Sequence, residues 1–479
     1  MRVGVIGAGP AGLTAALSLQ RGGASVDLFE SSAQVGGLSR SMDLWGHRVD
    51  IGPHRFFSTD ERINQFWLDI VGDDYRMVER LTRVYFLGQL IDYPIRPLSA
   101  MQKLGWRDAC GCLTSYLKEK VSPTYAADEG SFQSWVTSRF GKRLFEMFFQ
   151  SYSEKLWGIP CSELSDDFAA QRIRNFSLGE AIASAVMPGR SKRHKTLVDQ
   201  FAYPVGGTGA VYETMAAKFV SLGGRIHLES PVTKVLRRDS KVSGVQLSSN
   251  DSIQLDHVVS TMPLSLLINA LDDENDPVPA AVHSAIDALK FRNTLLTYLH
   301  VDSDDVFDDQ WVYIQSPDVA AGRVTNFRNW VPELYRELDT TVLAVERWCD
   351  NNSPAWTSDD ATLIQECKNE LQEIGLLTNQ RVTDGHVLRI GRSYPIYRKG
   401  YRQHIESVAR YLSSIGGITP IGRNGAFKYN NQDHSILMGL LVADNLINGA
   451  DHDLWSVNSD SDSYHEPTRI TDTGLVRSV

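Results

Sequence analysis

The hydrophobic pattern of the first thirty residues sets the frame. Arg2-Val3-Gly4-Val5-Ile6 is a short β-branched run, a glycine-rich stretch follows from Gly7 to Gly12, and Leu13-Thr14-Ala15-Ala16-Leu17-Ser18-Leu19 reads as helix. A second apolar run, Ala24-Ser25-Val26-Asp27-Leu28-Phe29, predicts a second strand that ends in Glu30. After residue 98 the pattern turns helical, with amphipathic stretches around 99–120, 131–150 and 162–186. Short β-type pieces separated by Arg238-Asp239-Ser240 and Ser249-Asn250-Asp251 fill 225–262 and predict a meander returning to the first sheet. From about 290 to 390, runs such as Leu295-Leu296-Thr297-Tyr298-Leu299 and Thr341-Val342-Leu343-Ala344-Val345 predict an antiparallel sheet interrupted by one helix around 360–374. Gly422-Arg423-Asn424-Gly425 then precedes a helical run from Ser435 to about Ile447, and the polar, Ser- and Asp-rich stretch from about Asp451 predicts a loose tail.

These elements predict an α/β fold with three parts. A Rossmann-like nucleotide-binding domain is discontinuous, drawn from 1–98, 201–265 and 401–450; a helical domain occupies 99–200; an antiparallel β-sheet domain occupies 266–400; and 451–479 is a polar tail. A length of 479 residues suits about three domains, and 42% apolar with 22% charged residues is ordinary globular usage. The net charge of -10 argues against a phosphate-tracking nucleic-acid surface, while leaving room for an anionic ligand held by a few local arginines. Five cysteines are too few and too scattered for a disulfide framework, and Cys110 with Cys112 lacks the further ligands a zinc site needs. No apolar run reaches the 18 or so residues of a membrane span, so the composition predicts a cytoplasmic protein with no membrane, nucleic-acid or metal partner.

The glycines near the start carry specific chemistry. Gly7 permits the turn, Gly9 lets the backbone approach a diphosphate, and Gly12 allows the helix to pack on the strand with its N–H groups aimed at the anion. Glu30, about twenty residues on, stands where it accepts hydrogen bonds from a ribose. Gly36-Gly37-Leu38-Ser39-Arg40 adds flexible backbone at Gly37 and a guanidinium at Arg40, a second contact that points to FAD rather than NAD. The basic run from Gly189 to Lys195 reads as a solvated connection, with a lid over an anionic ligand as the minority reading.

Several collinear segments together resemble one family, the flavin-dependent UDP-galactopyranose mutases, and especially their eukaryotic branch. They are the opening fingerprint, Gly52-Pro53-His54-Arg55-Phe56-Phe57-Ser58, Tyr93-Pro94, Tyr152-Ser153-Glu154-Lys155-Leu156-Trp157-Gly158, Pro204-Val205-Gly206-Gly207, Arg323-Val324-Thr325-Asn326-Phe327, Tyr394-Pro395, and Gly422-Arg423 through Asn431-Gln432-Asp433-His434-Ser435. The resemblance implies FAD, active in its reduced form. In that family flavin N5 displaces the nucleotide diphosphate from the anomeric carbon, and the resulting sugar–flavin adduct opens and recloses as a furanose. It implies a nucleotide-diphosphate sugar as substrate, an external reductant or NAD(P)H, and a homo-oligomer.

The same resemblance implies residue roles. Arg172, in Gln171-Arg172-Ile173, and Arg323 match the two diphosphate arginines, whose bidentate, permanent charge suits that work. Tyr394 and Tyr429 match phosphate-contacting tyrosines, Tyr93 and Tyr152 stand near the base, and Trp157 borders the sugar. His54 shapes the surroundings of N5, Arg423 lies near the flavin, and Asn431 and Gln432 supply backbone and amide contacts at a helix start. Taken alone, Tyr152 and Trp157 also read as a core aromatic pair on a helix, and Asn431 as an ordinary helix cap.

The pattern departs from the family at two places. Pro53 replaces a glycine or alanine and removes an N–H from the redox-responsive loop. Ile95 and Arg96 replace an aromatic and a glutamine near the uracil, which leaves dTDP- and GDP-sugars open beside UDP-sugars. Two other functions compete with the mutase. One is a flavin oxidoreductase of the amine-oxidase or protoporphyrinogen-oxidase type, working by net hydride removal; the other is a non-catalytic flavin-binding partner.

Overall fold

The computed structural model describes residues 1–93, 106–124, 130–168, 200–274, 276–458, 468–472 and 474–477. The chain folds as expected into a mixed α/β architecture, whose two largest sheets among the described residues are a five-stranded parallel sheet and a seven-stranded, largely antiparallel one. The parallel sheet has five strands in the order Ile418–Pro420, His257–Ser260, Arg2–Ile6, Ser25–Phe29, Arg225–His227. Its centre, β1 (Arg2–Ile6), buries Val3, Val5 and Ile6, as a strand covered on both faces must.

The helix α1 (Pro10–Arg21) starts with proline at its first position, where the missing N–H costs nothing. It lies directly on the helix Gln432–Asn448: a Cβ built at Gly439 would come within 2.6 Å of Thr14 Cβ and 2.8 Å of the Ala11 carbonyl oxygen. The predicted meander is present as the three-stranded sheet Val232–Arg238, Lys241–Leu247, Ser252–Gln254, which feeds His257–Ser260 back beside β1.

The second sheet has seven strands, in the order Val382–Pro395, Phe291–Val301, Thr341–Cys349, Arg323–Asn326, Trp311–Ile314, Thr82–Phe86, Gln89–Asp92. All of Thr341–Cys349 is buried, and the predicted helix, found at Asp360–Glu373, covers one face through Leu363, Cys367 and Leu371. Two features differ from expectation. Residues 82–92, placed by sequence in the nucleotide-binding part, hydrogen-bond into this second sheet; and Thr82–Phe86 pairs with Trp311–Ile314 in parallel. The alternating burial of Thr82-Arg83-Val84-Tyr85-Phe86 supplies the one-sided apolar face that such an addition needs.

The stretch 131–150 is not one continuous helix. It breaks at Gly141, whose φ of 84° ends Phe132–Phe140, and then runs through Lys142–Phe145 and a widened π turn, Glu146–Gln150, into Ser151–Trp157. Most of the stretch 162–186 and the basic run 189–195 lie outside the described residues.

The loose tail is a correction. Leu454 and Val457 are buried, and Thr468–Thr471 pairs with Gly474–Arg477 as a hairpin. The Tyr75 hydroxyl donates to the Thr471 carbonyl at 2.6 Å, and Ile470 joins the nucleotide-side core. The β-branched Thr468, Ile470 and Thr471 outweigh the polar composition around them. No helix among the described residues is long and apolar enough to cross a membrane.

Candidate active site

A cavity of about 710 Å³ runs from the carboxyl ends of the parallel strands to the seven-stranded sheet. In an open α/β sheet this is where ligands sit. Its first end is built from backbone. Gly7, at φ 95°, donates its N–H to the Phe29 carbonyl at 2.7 Å, and a Cβ on Gly12 would fall 1.9 Å from the Gly7 carbonyl oxygen. The second glycine loop touches the first: Gly36 N–H donates to the Ala8 carbonyl at 2.8 Å, and a Cβ on Gly37 would reach 3.0 Å from Gly9 Cα.

Glu30 is 9% exposed and locked to the same turn. One carboxylate oxygen accepts the Ala8 N–H at 2.8 Å, and the other accepts Ser32 N–H at 2.9 Å and the Ser32 hydroxyl at 2.8 Å. The amino end of α1 has neither a side-chain cap nor an acidic residue in its first turn, and Pro10 and Ala11 line the cavity. Loops that leave no room for a Cβ, an uncapped helix end and a buried acid beside it fit the diphosphate and ribose of FAD.

The other end is built from side chains. Arg323 opens the strand Arg323–Asn326 and lies opposite Glu346 of Thr341–Cys349 in the sheet register. Its Nε and Nη2 donate to the two Glu346 carboxylate oxygens, each at 2.8 Å. Burial works against the guanidinium, but the Glu346 carboxylate outweighs it and keeps Arg323 charged. Glu346 also sets the loop beside it, since a Cβ on Gly52 (φ 80°) would sit 2.5 Å from a Glu346 oxygen.

Arg423 is held more tightly still. Nε donates to the Ser393 carbonyl at 2.8 Å, Nη1 to the Asn430 carbonyl at 2.9 Å, and its carbon centre lies 4.7 Å and 4.4 Å from the rings of Tyr394 and Tyr429. Those two rings stack at 5.5 Å. Burial, followed by Tyr429 and Glu346, pushes the Tyr394 hydroxyl upward, so it remains a protonated donor. His54 lines the cavity on the Gly52 loop. Burial first, then Arg323 and Arg423, pulls its imidazole down to about 3, and Nδ1 has no partner among the described residues.

The cavity therefore gathers Gly7, Gly9, Glu30, Gly37, His54, Tyr93, Arg323, Tyr394, Arg423, Tyr429, Asn431 and Gln432. Gly12 acts one layer behind, in the helix–strand contact. The Gln432 side-chain oxygen already accepts the Tyr212 hydroxyl at 2.6 Å. Asn431 caps its helix in a capping box with His434. Tyr93, 43% exposed, packs its ring 5.5 Å from that of Tyr313.

Three expected contacts are not brought to the cavity wall. Arg40 turns back toward the Gly37 carbonyl at 3.4 Å. Tyr152 sets its ring edge-on to Tyr313 and Trp348 at 5.9 and 5.7 Å, and Trp157, fully buried, backs Tyr394 and Tyr429 at 6.2 and 5.8 Å. These two aromatics support the wall rather than form it, as the core-pair reading has it. Arg96 and Arg172 lie outside the described residues.

Sequence reasoning missed Glu346 and Tyr313. The signal for the first was available: Glu346-Arg347 interrupts an otherwise apolar run, and a charge in the middle of a buried strand needs a partner.

Residues 10–407 match the family model described as flavin containing amine oxidoreductase. Among curated proteins, the chain is 25% identical over 289 residues to phytoene desaturase (neurosporene-forming) of Rhodobacter capsulatus, covering 54% of this chain and 52% of that protein. It is 26% identical over 167 residues to a Klebsiella pneumoniae protein named "Probable UDP-galactopyranose mutase", covering 33% of this chain and 42% of the other. The chain thus spans about half the length of the curated relatives it matches. Among solved structures, a reduced UDP-galactopyranose mutase superposes with a TM-score of 0.83 at 23% identity, covering 96% of this chain and 97% of that one. At that identity the likeness speaks for the fold.

Proposed function

The chain belongs to the flavin containing amine oxidoreductase family, and from that premise we propose that it is a FAD-dependent nucleotide-sugar mutase, isomerising a nucleotide-diphospho-hexopyranose to the furanose with the flavin reduced. The observation that carries this reading is the convergence of Arg323, Tyr394, Arg423 and Tyr429 on the cavity that the glycine turn also lines. A wall of guanidinium and phenol donors suits a pyrophosphate leaving group and is wasted on an apolar substrate.

Reduced flavin supplies an electron-rich nitrogen able to attack a glycosyl carbon. The chain's own residues do the rest. The turn from Gly7 to Gly12, the amino end of α1 and Glu30 would hold the cofactor's diphosphate and ribose. The hydroxyls of Tyr394 and Tyr429, on partly buried rings, would donate to the substrate phosphates without adding charge. Arg323 spends Nε and Nη2 on Glu346 and keeps Nη1 for the ligand. His54, neutral at physiological pH, shapes the wall rather than moving a proton. Tyr93 and Arg96 would meet the base, and Arg172 would meet the diphosphate from the helical side.

One observation favours a second reading, a flavin oxidoreductase working by net hydride removal. The Arg323–Glu346 pair cancels the charge that a diphosphate would seek. A panel of UDP-, dTDP- and GDP-hexoses offered to holoenzyme in two arms, anaerobically with dithionite-reduced flavin and aerobically with oxidised flavin and no dithionite, separates the two. The mutase interconverts a sugar nucleotide without consuming a stoichiometric electron acceptor, whereas peroxide formed in proportion to product points to the oxidoreductase. The reductant in the cell, whether NAD(P)H or another donor, would only need to keep the flavin reduced.

A further inference from the structure

Lys155 lies on the helix Ser151–Trp157, away from the cavity wall. Its ammonium is sunk into the turn that joins the strands Trp311–Ile314 and Arg323–Asn326. Nζ donates to the carbonyls of Val319 at 2.7 Å, Ser316 at 2.9 Å, Ile314 at 3.1 Å and Ala321 at 3.2 Å. Four acceptors share three protons; the Ser316 carbonyl also accepts Val319 N–H at 3.4 Å, and the ammonium serves the other three inside a largely buried turn. The Ser151 hydroxyl adds a bond to the Gln315 carbonyl at 3.2 Å.

The amides of the same turn go to an anion. Glu370, on the helix Asp360–Glu373, accepts Ala320 N–H at 2.8 Å and Ala321 N–H at 3.1 Å, and Arg347 meets Glu370 at 3.1 Å. A cation thus gathers the carbonyls and an anion gathers the amides, each delivered by a different helix.

What the turn carries explains why it is held so firmly. Tyr313 and Arg323 are direct partners across the hairpin, and both line the cavity. Tyr313 immediately precedes Ile314, whose carbonyl Lys155 holds. Gly322, whose N–H donates to the Glu346 carbonyl at 2.8 Å, immediately precedes Arg323. Tyr152, three residues before Lys155, sets its ring against Tyr313. A shift of the turn would therefore move both cavity residues and strain the Arg323–Glu346 pair.

We propose that Lys155 is a positioning residue for this site: by collecting four turn carbonyls around one ammonium, it holds the hairpin that keeps Tyr313 and Arg323 in the cavity, and so governs affinity for the anionic ligand without touching it. The link to affinity rests on the nucleotide-sugar reading above; the mechanical role does not.

The test uses flavin-loaded Lys155→Met, with Lys155→Gln as the second variant should the first fail to fold. Three quantities are measured: amide exchange of 315–322, the rate at which phenylglyoxal modifies Arg323 as read by peptide mass, and the Kd of UDP. Protection of the turn amides should fall about tenfold, with exchange in β1 and α1 and flavin content unchanged. Arg323 should be modified about fivefold faster and UDP should bind about tenfold more weakly, whereas a general loss of stability would loosen every region together. Unchanged turn exchange or unchanged Arg323 reactivity in a folded variant overturns the proposal. A loosened turn with wild-type UDP affinity overturns its link to ligand binding. Wild-type protein that binds none of UDP, dTDP and GDP sinks the nucleotide reading alone, and Lys155 is then judged on exchange and Arg323 reactivity.

Discussion

The two ends of the cavity are held by opposite means. At the glycine end the contacts are backbone, contributed by residues 7–37, with one carboxylate, Glu30, clamped by N–H groups and the Ser32 hydroxyl. At the sheet end the contacts are side chains far apart in sequence, on strands and on the segment 422–430, and the guanidinium groups of Arg323 and Arg423 are already matched, Arg323 by Glu346 and Arg423 by two carbonyls and two rings. The first end fails when an atom is added where none fits. The second fails when one member of a matched pair is taken away.

The largest effect expected from this contrast is that of Gly12→Val. A side chain there collides with the Gly7 carbonyl oxygen, and the substitution should cost about 3 kcal/mol or more and abolish flavin retention. The flavin absorbance of purified protein and a urea melt check both. At the sheet end, Arg323→Ala should lose about 3–5 kcal/mol, because it strands the buried Glu346 carboxylate. The double replacement Arg323→Met with Glu346→Leu should recover most of that loss in a urea melt while leaving UDP binding absent. A double variant no more stable than Arg323→Ala would show that the pair is not the unit it is taken for.

Glu30→Gln keeps the shape but removes the charge that orients Ala8 and Ser32. Flavin affinity should drop about tenfold, about 1.4 kcal/mol, in a titration of apoprotein. The smallest effect concerns pH. Burial pulls the Lys155 ammonium down to about 8, opposed by Glu370 on the neighbouring helix and Asp318 in the turn. The charged form holds the four carbonyls, so the hold is nearly complete well below pH 8, half lost at about pH 8 and gone well above it. UDP affinity should fall about threefold across this range in the wild type, while Lys155→Met should show no such step.

The glycine end was legible in the sequence because its chemistry is local. Gly7, Gly9 and Gly12 act through φ and the absence of a Cβ within six residues, and Glu30 follows at a spacing set by one helix and one strand. The sheet end was legible only through family resemblance. Arg323, Tyr394 and Tyr429 are separated by tens of residues, and nothing in their local patterns reveals that they meet. Glu346 was missed because the run from Thr341 was read only as far as Val345, one residue short of the charge that matters. Arg40, Tyr152 and Trp157 belong to the right neighbourhood but lie outside the cavity lining, a placement that spacing along the chain does not encode. The hairpin at 468–477 was hidden by polar composition, since two short strands anchored by Tyr75 and Ile470 need little apolar surface.

The parallel pairing of Thr82–Phe86 with Trp311–Ile314 bears on how the chain is made. Leu81 N–H also donates to the Gln310 side chain, across a separation of 229 residues. During vectorial synthesis the hairpin Thr82–Asp92 leaves the ribosome long before its partner strand exists, and contacts of this range are slow to form. The glycine turn and α1 can form early, but the wall that carries Arg323 is complete only after more than half of the polypeptide has emerged. Nascent chains shorter than that carry an open strand edge, and this is the interval in which a chaperone would find something to hold.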